Sequence, residues 1–366
     1  MKVSVLILAY NHEPYIEQAV WSAVIQRTNF DYEIVVGEDF STDRTLEILY
    51  QMKEKYPEKI RLLTTDHNLG MAQNYIRTLQ ACDGEYIALL DGDDYWCAEN
   101  KLQQQVEFLD QNPDFSIVFH GVLRVYEDGS QQSKEVYPPG GRDVFDIDDL
   151  IRSNFIPTCS ILFRNGLIGE FPDWAFSMNM LDWPTFILVA KHGKIKLLDR
   201  LMAVHRVHSS GVWSSMNMIK RLLADISFYE KLNPCLDYRY TETIQANLDR
   251  NWKRLMNEYY DQAVTLGSTK AGLNFAQEAW VSLKDHDSFP PKWKKELSQR
   301  IYSHYLYTSF ESGNYPEAWA AWLGMMVNNP RLLLNRGLLL LGMEASFNGR
   351  WRYQIQKLSR VHRQKK

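Results

Sequence analysis

Tyr86-Ile87-Ala88-Leu89-Leu90-Asp91-Gly92-Asp93-Asp94 decides the reading of this chain. The apolar run is short enough for one buried strand, and it empties into three carboxylates spaced around a glycine. In α/β proteins the loops beyond the strand tips open the crevice where ligands bind. Carboxylates gathered at such a tip repel one another, so a positive group is expected between them. A hard divalent cation with oxygen ligands, Mg²⁺ or Mn²⁺, suits that set.

The sequence on the amino-terminal side alternates strand and helix patterns. Lys2–Ala9, Tyr32–Val36, Ile60–Thr64 and Tyr86–Leu90 are predicted strands. Between them lie helical spacings over Glu13–Gln26, Leu46–Tyr56 and Met71–Ala81. Repeats of this length imply a mostly parallel, right-handed sheet covered by helices. Two further strands are predicted at Phe115–His120 and Ser160–Phe163, separated by the turn-rich Tyr137-Pro138-Pro139-Gly140-Gly141, and another at Lys196–Leu198 after a turn at Gly193. From about Met216 onward the pattern becomes long helical segments rich in Leu, Trp and Tyr. Ser312-Gly313-Asn314-Tyr315-Pro316-Glu317-Ala318 resembles one hairpin of a tetratricopeptide repeat, although a single copy is not an array.

An isolated Asp-Gly-Asp-Asp is most often a polar turn. Here Gly37-Glu38-Asp39-Phe40-Ser41-Thr42-Asp43 puts a second acidic pair after the second strand, and Asn68-Leu69-Gly70 follows the third. Small or acidic residues at three strand ends of one sheet describe one crevice. Each also has a structural reading: Tyr10 as a packed aromatic, Asp39 as a helix cap, and Asn68 and Gly70 as a simple turn.

The ordered motifs Val3–Asn11, Gly37–Thr45, Asn68-Leu69-Gly70 and Gly84–Trp96 resemble those of family-2 glycosyltransferases, most closely over residues 3–105. The resemblance implies an α/β GT-A fold, a nucleotide-sugar donor, a divalent metal and inversion at the anomeric carbon. It divides the chain into a GT-A domain over residues 1–215 and a helical region over 216–366. Within the first, residues 1–105 form the nucleotide-binding half and 106–215 the acceptor half. It implies that Ala9, Tyr10 and Asn11 line the nucleotide pocket with Glu13 close by. Asp39 matches the carboxylate that accepts the N3–H of uracil, and Asn68 and Gly70 belong to the same donor site. Asp91 and Asp93 match a D-x-D pair around Gly92, the first holding the ribose and the second the metal. Asp94 remains an alternative metal ligand.

A base must also take the proton of the acceptor hydroxyl. Leu181-Asp182-Trp183-Pro184 matches the family's downstream acidic motif, which implies Asp182 in that role. Asp182 is equally suited to cap a helix with proline in its first turn. The segment His205-Arg206-Val207-His208 resembles a further family feature, with Arg206 near the diphosphate and His208 as a possible metal ligand. Trp183 and Trp213 are either core aromatics or platforms for an acceptor sugar.

The net charge of −4 argues against bulk nucleic-acid binding. Four cysteines without C-x-x-C spacing suit a reducing cytoplasm. The apolar amino terminus reads as a strand rather than a signal segment, and Leu332–Met343 is too short to span a bilayer. After Glu344 no acid follows, while Arg350, Arg352, Lys357, Arg360, Arg363, Lys365 and Lys366 accumulate. This basic tail is either a solvated end or a peripheral contact with an anionic membrane. The helical region is also a possible oligomer contact.

The expected activity is therefore metal-dependent transfer from a UDP-sugar to a hydroxyl of a glycan or lipid-linked acceptor, as in bacterial surface polysaccharide synthesis. A sugar nucleotidyltransferase would carry a glycine-rich phosphate loop that Ala9–Glu13 lacks. An inactive sugar-nucleotide-binding scaffold with a partner-binding helical end would have little use for Asp39, Asp91, Asp93 and Asp182 together.

Overall fold

The computed structural model describes residues 1–129, 133–138, 140–178, 180–209 and 216–346. The readings of Trp213 and of the basic tail from 350 onward lie outside the described residues. The chain divides into two compact units. One is Met1–Met216 with Lys231–Ile244, and the other is Asn217–Glu230 with the chain from Gln245 onward.

In the first unit β1 (Val3–Ala9), β2 (Tyr32–Glu38), β3 (Ile60–Leu63) and β4 (Tyr86–Asp91) pair in parallel in the order β3-β2-β1-β4. Parallel pairing needs crossovers, supplied by α1 (Ile16–Val24), α2 (Thr45–Lys55) and α3 (Met71–Gln80). Every residue of β1 from Val3 to Ile7, and all of β2, is buried, which is why these strands read as continuous apolar runs.

Beyond β4 the sheet becomes mixed. Short β5 (Tyr95–Trp96) follows the acidic turn, and then α4 (Lys101–Gln111) leads into β6 (Phe115–Tyr126). β7 (Lys134–Val136) and β8 (Val144–Phe145) are brief edge pieces before α5 (Ile147–Arg152). β9 (Leu162–Arg164) lies antiparallel between β4 and β6, while β10 (Lys194–Val207) follows α6 (Asp182–Ala190) and runs parallel to β6. The result is a ten-stranded mixed sheet in an α/β domain. β6 and β10 both outrun the predicted strands. β10 pairs through register shifts between Leu198 and Leu201 and again before Ala203, and these hide its alternation across Asp199-Arg200.

The helices that follow are α7 (Met218–Cys235), α8 (Thr241–Val264), α9 (Thr269–Leu283), α10 (Trp293–Glu311), α11 (Tyr315–Asn328) and α12 (Arg336–Ser346). The second unit is cored by aromatics: Trp252 meets Phe289 edge-on at 5.2 Å, and Tyr259 meets Trp293 at 5.7 Å. The expected hairpin is formed by α10 and α11, turning at Ser312-Gly313-Asn314. No helix among the described residues is long and apolar enough to cross a membrane.

One buried charge stands out in the first unit. Lys101, at the start of α4, is fully buried; its ammonium donates to Gln105 Oε1 at 2.7 Å and lies 4.2 Å from the centre of the Trp96 ring. Burial pushes its pKa down to about 7. Between that value and the ordinary 10.5 the unfolded chain holds a proton that the folded chain has released. Stability therefore rises as pH climbs through that window, and the cost of the buried charge is felt in full below it. Lys101→Met should stabilise the protein below pH 7 and flatten this rise, at about 1.4 kcal/mol per unit of pKa shift removed. Urea denaturation of both proteins from pH 6 to 10 measures the difference.

Candidate active site

Parallel register brings the strand ends to one edge of the sheet. Leu8 of β1 is level with Gly37 of β2 on one side and Asp91 of β4 on the other, and Ala9 is level with Glu38. Asp39 continues this alignment by donating its backbone N–H to the Ala9 carbonyl at 3.0 Å.

The turn beyond β4 closes with the Asp94 N–H on the Asp91 carbonyl at 3.1 Å, and Gly92 donates to the Leu8 carbonyl at 3.0 Å. A Cβ on Gly92 would lie 2.7 Å from that carbonyl oxygen and 2.5 Å from the His12 ring. Only glycine lets the acidic turn lie against β1.

The three acids of the turn face different surroundings. Asp91 is half-buried, and burial together with the charges of Asp93 and Asp182 raises its pKa to about 8. Asp94 is 4% exposed and turns inward, accepting the Arg206 backbone N–H at 2.8 Å. Burial and the two neighbouring acids push it well up. Asp93 faces His208, whose Nε2 lies 3.0 Å from its carboxylate. Burial tends to raise Asp93, but the His208 bond and the charge of nearby His12 outweigh it, so its pKa falls. The same bond raises His208 against its own burial. His208 also packs on Tyr15, ring centres 4.8 Å apart.

Asp182 opens α6. Its carboxylate accepts from Thr158 Oγ1 at 3.3 Å and from Asn154 Nδ2 at 3.4 Å. Burial raises its pKa in spite of these bonds and the Trp183 backbone N–H. Residues 91 and 182 are far apart in sequence, yet the charge of Asp182 contributes to the rise at Asp91. Both charges also reach the buried Tyr75, whose phenol is pushed up first by its burial. The structure thus brings Asp91, Asp93 and Asp182 into one electrostatic neighbourhood.

The residues expected to line a nucleotide pocket are mainly tied to one another. Asn11 has a left-handed φ of 55°; its N–H donates to Ser41 Oγ at 3.0 Å and its Oδ1 accepts from the Thr42 N–H at 2.8 Å. Glu13 donates its N–H to Asp43 Oδ2 and accepts the Arg44 N–H, stitching the loop after β1 to the loop after β2. An open cleft bordered by Asn11, Glu13, Tyr15, Asp43 and Arg44 lies between them. Phe40, also left-handed at φ 61°, is a costly conformation for a bulky residue; the buried Glu38 carboxylate holds the turn by accepting the N–H groups of Phe40 and Ser41. Asp39 is 3% exposed, and its two carboxylate oxygens accept the N–H groups of Leu69 and Gly70 at 2.8 and 3.0 Å. Asn68 returns the contact through Nδ2 to the Asp39 carbonyl. Tyr10 is 44% exposed and belongs to no core.

Arg206, expected near a diphosphate, has its guanidinium engaged by the protein. It donates to the Asp93 carbonyl and to Gln18, pairs with Glu127 at 3.4 Å, and packs on Tyr15 and Tyr95. Trp183 is buried and donates its indole N–H to the Leu150 carbonyl at 2.8 Å, so its ring is core and not an acceptor platform. Asn154, Thr158, Tyr75 and Gln18 escaped the sequence reading, because each acts through a contact distant in sequence. Only Pro157, before Thr158, hints at a fixed turn there.

Among the described residues no group of three or more His, Cys, Asp or Glu side chains could hold a metal ion. Asp91 and Asp93 nevertheless place two carboxylates together, and the charge of Asp93 helps to raise Asp91. They fit a cation that takes its remaining ligands from phosphate oxygens and water, as Mg²⁺-type sites do.

Residues 4–169 match the model of glycosyl transferase family 2. An uncharacterized protein of Mycobacterium tuberculosis is 36% identical over 214 residues, covering 58% of this chain and 61% of the relative. Bacillus subtilis TuaG, whose name ascribes it to teichuronic acid biosynthesis as a glycosyltransferase, is 28% identical over 218 residues, 58% of this chain and 83% of that one. A mannosyltransferase structure from Pyrobaculum calidifontis, in complex with GDP-Man and Mn²⁺, aligns at a TM-score of 0.49 and 18% identity, covering 82% of this chain and 84% of that one.

Gly92→Ala should lower stability by about 1–3 kcal/mol, the usual cost of forcing atoms into a packed site. A smaller urea midpoint shift, with Leu8 and His12 unmoved in a crystal structure of the variant, would contradict that account.

Proposed function

Since residues 4–169 form a domain of glycosyl transferase family 2, we propose that this chain moves a sugar from a nucleoside-diphosphate sugar to a hydroxyl, with inversion. The carrying observation is the shared electrostatic neighbourhood of Asp91, Asp93 and Asp182.

In this reading Asp182 is the base. It takes the proton of the acceptor hydroxyl as the oxygen bonds to the anomeric carbon and the bond to the diphosphate breaks on the opposite face. A carboxylate raised by burial is a better proton acceptor than one free in water, and Thr158 and Asn154 aim it. Asp93 and Asp91 would hold a divalent cation, Mn²⁺ or Mg²⁺, which when bound neutralises charge on the leaving diphosphate. Asp94 instead secures the turn from within through Arg206, and His208 sets the orientation of Asp93.

A uracil-bearing donor is favoured by Asp39. A carboxylate accepts only, so a base presenting an N–H suits it. The two oxygens already hold the loop at 69–70, and each keeps a further lone pair. The name of the Bacillus subtilis relative supports a surface-polysaccharide acceptor.

Asp182→Asn should leave donor binding unchanged in calorimetry and lower transfer by about 10²–10⁴-fold, the usual contribution of a general base. Normal transfer by this variant would remove Asp182 from the role. Metal binding gives an independent measurement. Asp91 at about 8 is protonated at pH 7, so a cation bound there must displace the proton. Titration with Mn²⁺ in buffers of different ionisation enthalpy should show about one proton released at pH 7 and tighter binding as pH rises to 8.5. Asp91→Asn should abolish that release.

A further inference from the structure

The second unit keeps an open groove of about 430 Å³, within the size range of small-molecule sites. Tyr260 of α8 lines it together with Gln299, Arg300, Ser303, His304, Tyr307 and Thr308 of α10. All of these residues belong to the second unit. Along α10 the positions 300, 304 and 308 recur every four residues, with 303 and 307 beside them, so they share one stripe of the helix. Among the described residues the lining holds no carboxylate and no aliphatic side chain.

The lining offers three kinds of contact. Arg300 is fixed in place without an acid: its guanidinium lies 4.2 Å from the centre of the Tyr260 ring and donates to Asn257 Oδ1 at 2.7 Å. Among the described residues it forms no ion pair, although Glu296 stands one turn earlier on the same helix. Most of its N–H fork is left for a ligand, already oriented. The hydroxyls have the opposite character. Ser303 Oγ donates to the Gln299 carbonyl and Thr308 Oγ1 to the His304 carbonyl, both at 2.9 Å. Each hydroxyl has one proton, so toward the groove both oxygens act as acceptors. Tyr307 is 49% exposed and packs on no other ring among the described residues, which leaves its face to a ligand. A sugar carrying an acidic group answers all three: an anion for Arg300, hydroxyl donors for Ser303 and Thr308, and an apolar C–H face for the Tyr307 ring. Inorganic phosphate would use Arg300 alone. A neutral sugar leaves the guanidinium unanswered, and an acidic peptide brings carboxylates without an array of hydroxyls.

The geometry points to a saccharide-binding site in the helical unit, formed by Arg300, Ser303, Tyr307 and Thr308, that takes a sugar bearing a carboxylate or phosphate. The inference rests on this unit alone and holds whether or not the first unit transfers sugars.

Calorimetric titration of the full chain with trigalacturonate, glucose 6-phosphate, maltotriose and inorganic phosphate tests it. At least one of the two acidic sugars should bind with a Kd on the order of 1 mM or tighter. It should bind at least about tenfold more tightly than maltotriose or inorganic phosphate, and the tighter of the two tells carboxylate from phosphate. Arg300→Gln should lower that affinity about tenfold. Tyr307→Ala, a change at an exposed side chain, should lower it about threefold or more with helical circular dichroism unchanged, while Tyr307→Phe retains it. Asp93→Ala, in the first unit, should bind the acidic sugar as the wild type does. Absence of binding by either acidic sugar at about 10 mM would overturn the proposal. So would unaltered affinity in both Arg300→Gln and Tyr307→Ala, or inorganic phosphate or a glutamate tripeptide binding as tightly, which reduces the groove to a site for any anion. Loss of binding in Asp93→Ala with Tyr307→Ala unaffected would also overturn it, by assigning the sugar to the crevice of the first unit.

Discussion

Repulsion among Asp91, Asp93 and Asp182 is the constraint on which the rest of the first unit depends. Like charges in a half-buried crevice destabilise the chain that carries them, and the fold holds them together through rigid supports. Gly92 presses the acidic turn onto β1, Arg206 binds the turn from below through both its backbone and its side chain, and α6 fixes Asp182 at its first residue. Of these supports, Arg206 stabilises the ionised form of Asp94 through its backbone N–H, against the burial that raises it. His208 and His12 outweigh the burial of Asp93, whose pKa falls, and Asp91 answers by holding a proton. A carboxyl that its neighbours keep from ionising is one from which a cationic ligand would displace the proton.

The parallel half of the sheet was open to reading because its strands are buried throughout. Continuous apolar runs such as Ile34-Val35-Val36 and Ile87-Ala88-Leu89-Leu90 have no competing interpretation once helical spacings separate them. The same logic fails at β10, where a charged pair, Asp199-Arg200, sits among register shifts and cuts an extended strand to a fragment. At β9 the apolar run Ser160–Phe163 predicted a strand, but its place between β4 and β6 depends wholly on tertiary pairing. The return of residues 231–244 to the first unit has no signature in a helical pattern that continues on both sides.

At the crevice, residues at strand ends could be singled out because acids after apolar runs are conspicuous. Their partners could not. Thr158 and Asn154 are ordinary polar residues until Asp182 lies beside them, and Asp93 and Asp94 are chemically identical until one faces His208 and the other the Arg206 backbone. Local sequence names the side chains that carry charge. Which way each one points is decided by chain segments elsewhere in the sequence, 24 and 28 residues away for Asp182 and 112 and 115 for Asp94 and Asp93.

In the proposed reading Asp39 joins two duties in one carboxylate, since the group assigned to the nucleobase also anchors the loop at Leu69 and Gly70. Any change made there to admit a different nucleobase would loosen the entrance to α3 at the same time. Broadening the substrate range of this crevice therefore calls for paired substitutions, one at Asp39 and one that re-anchors the loop.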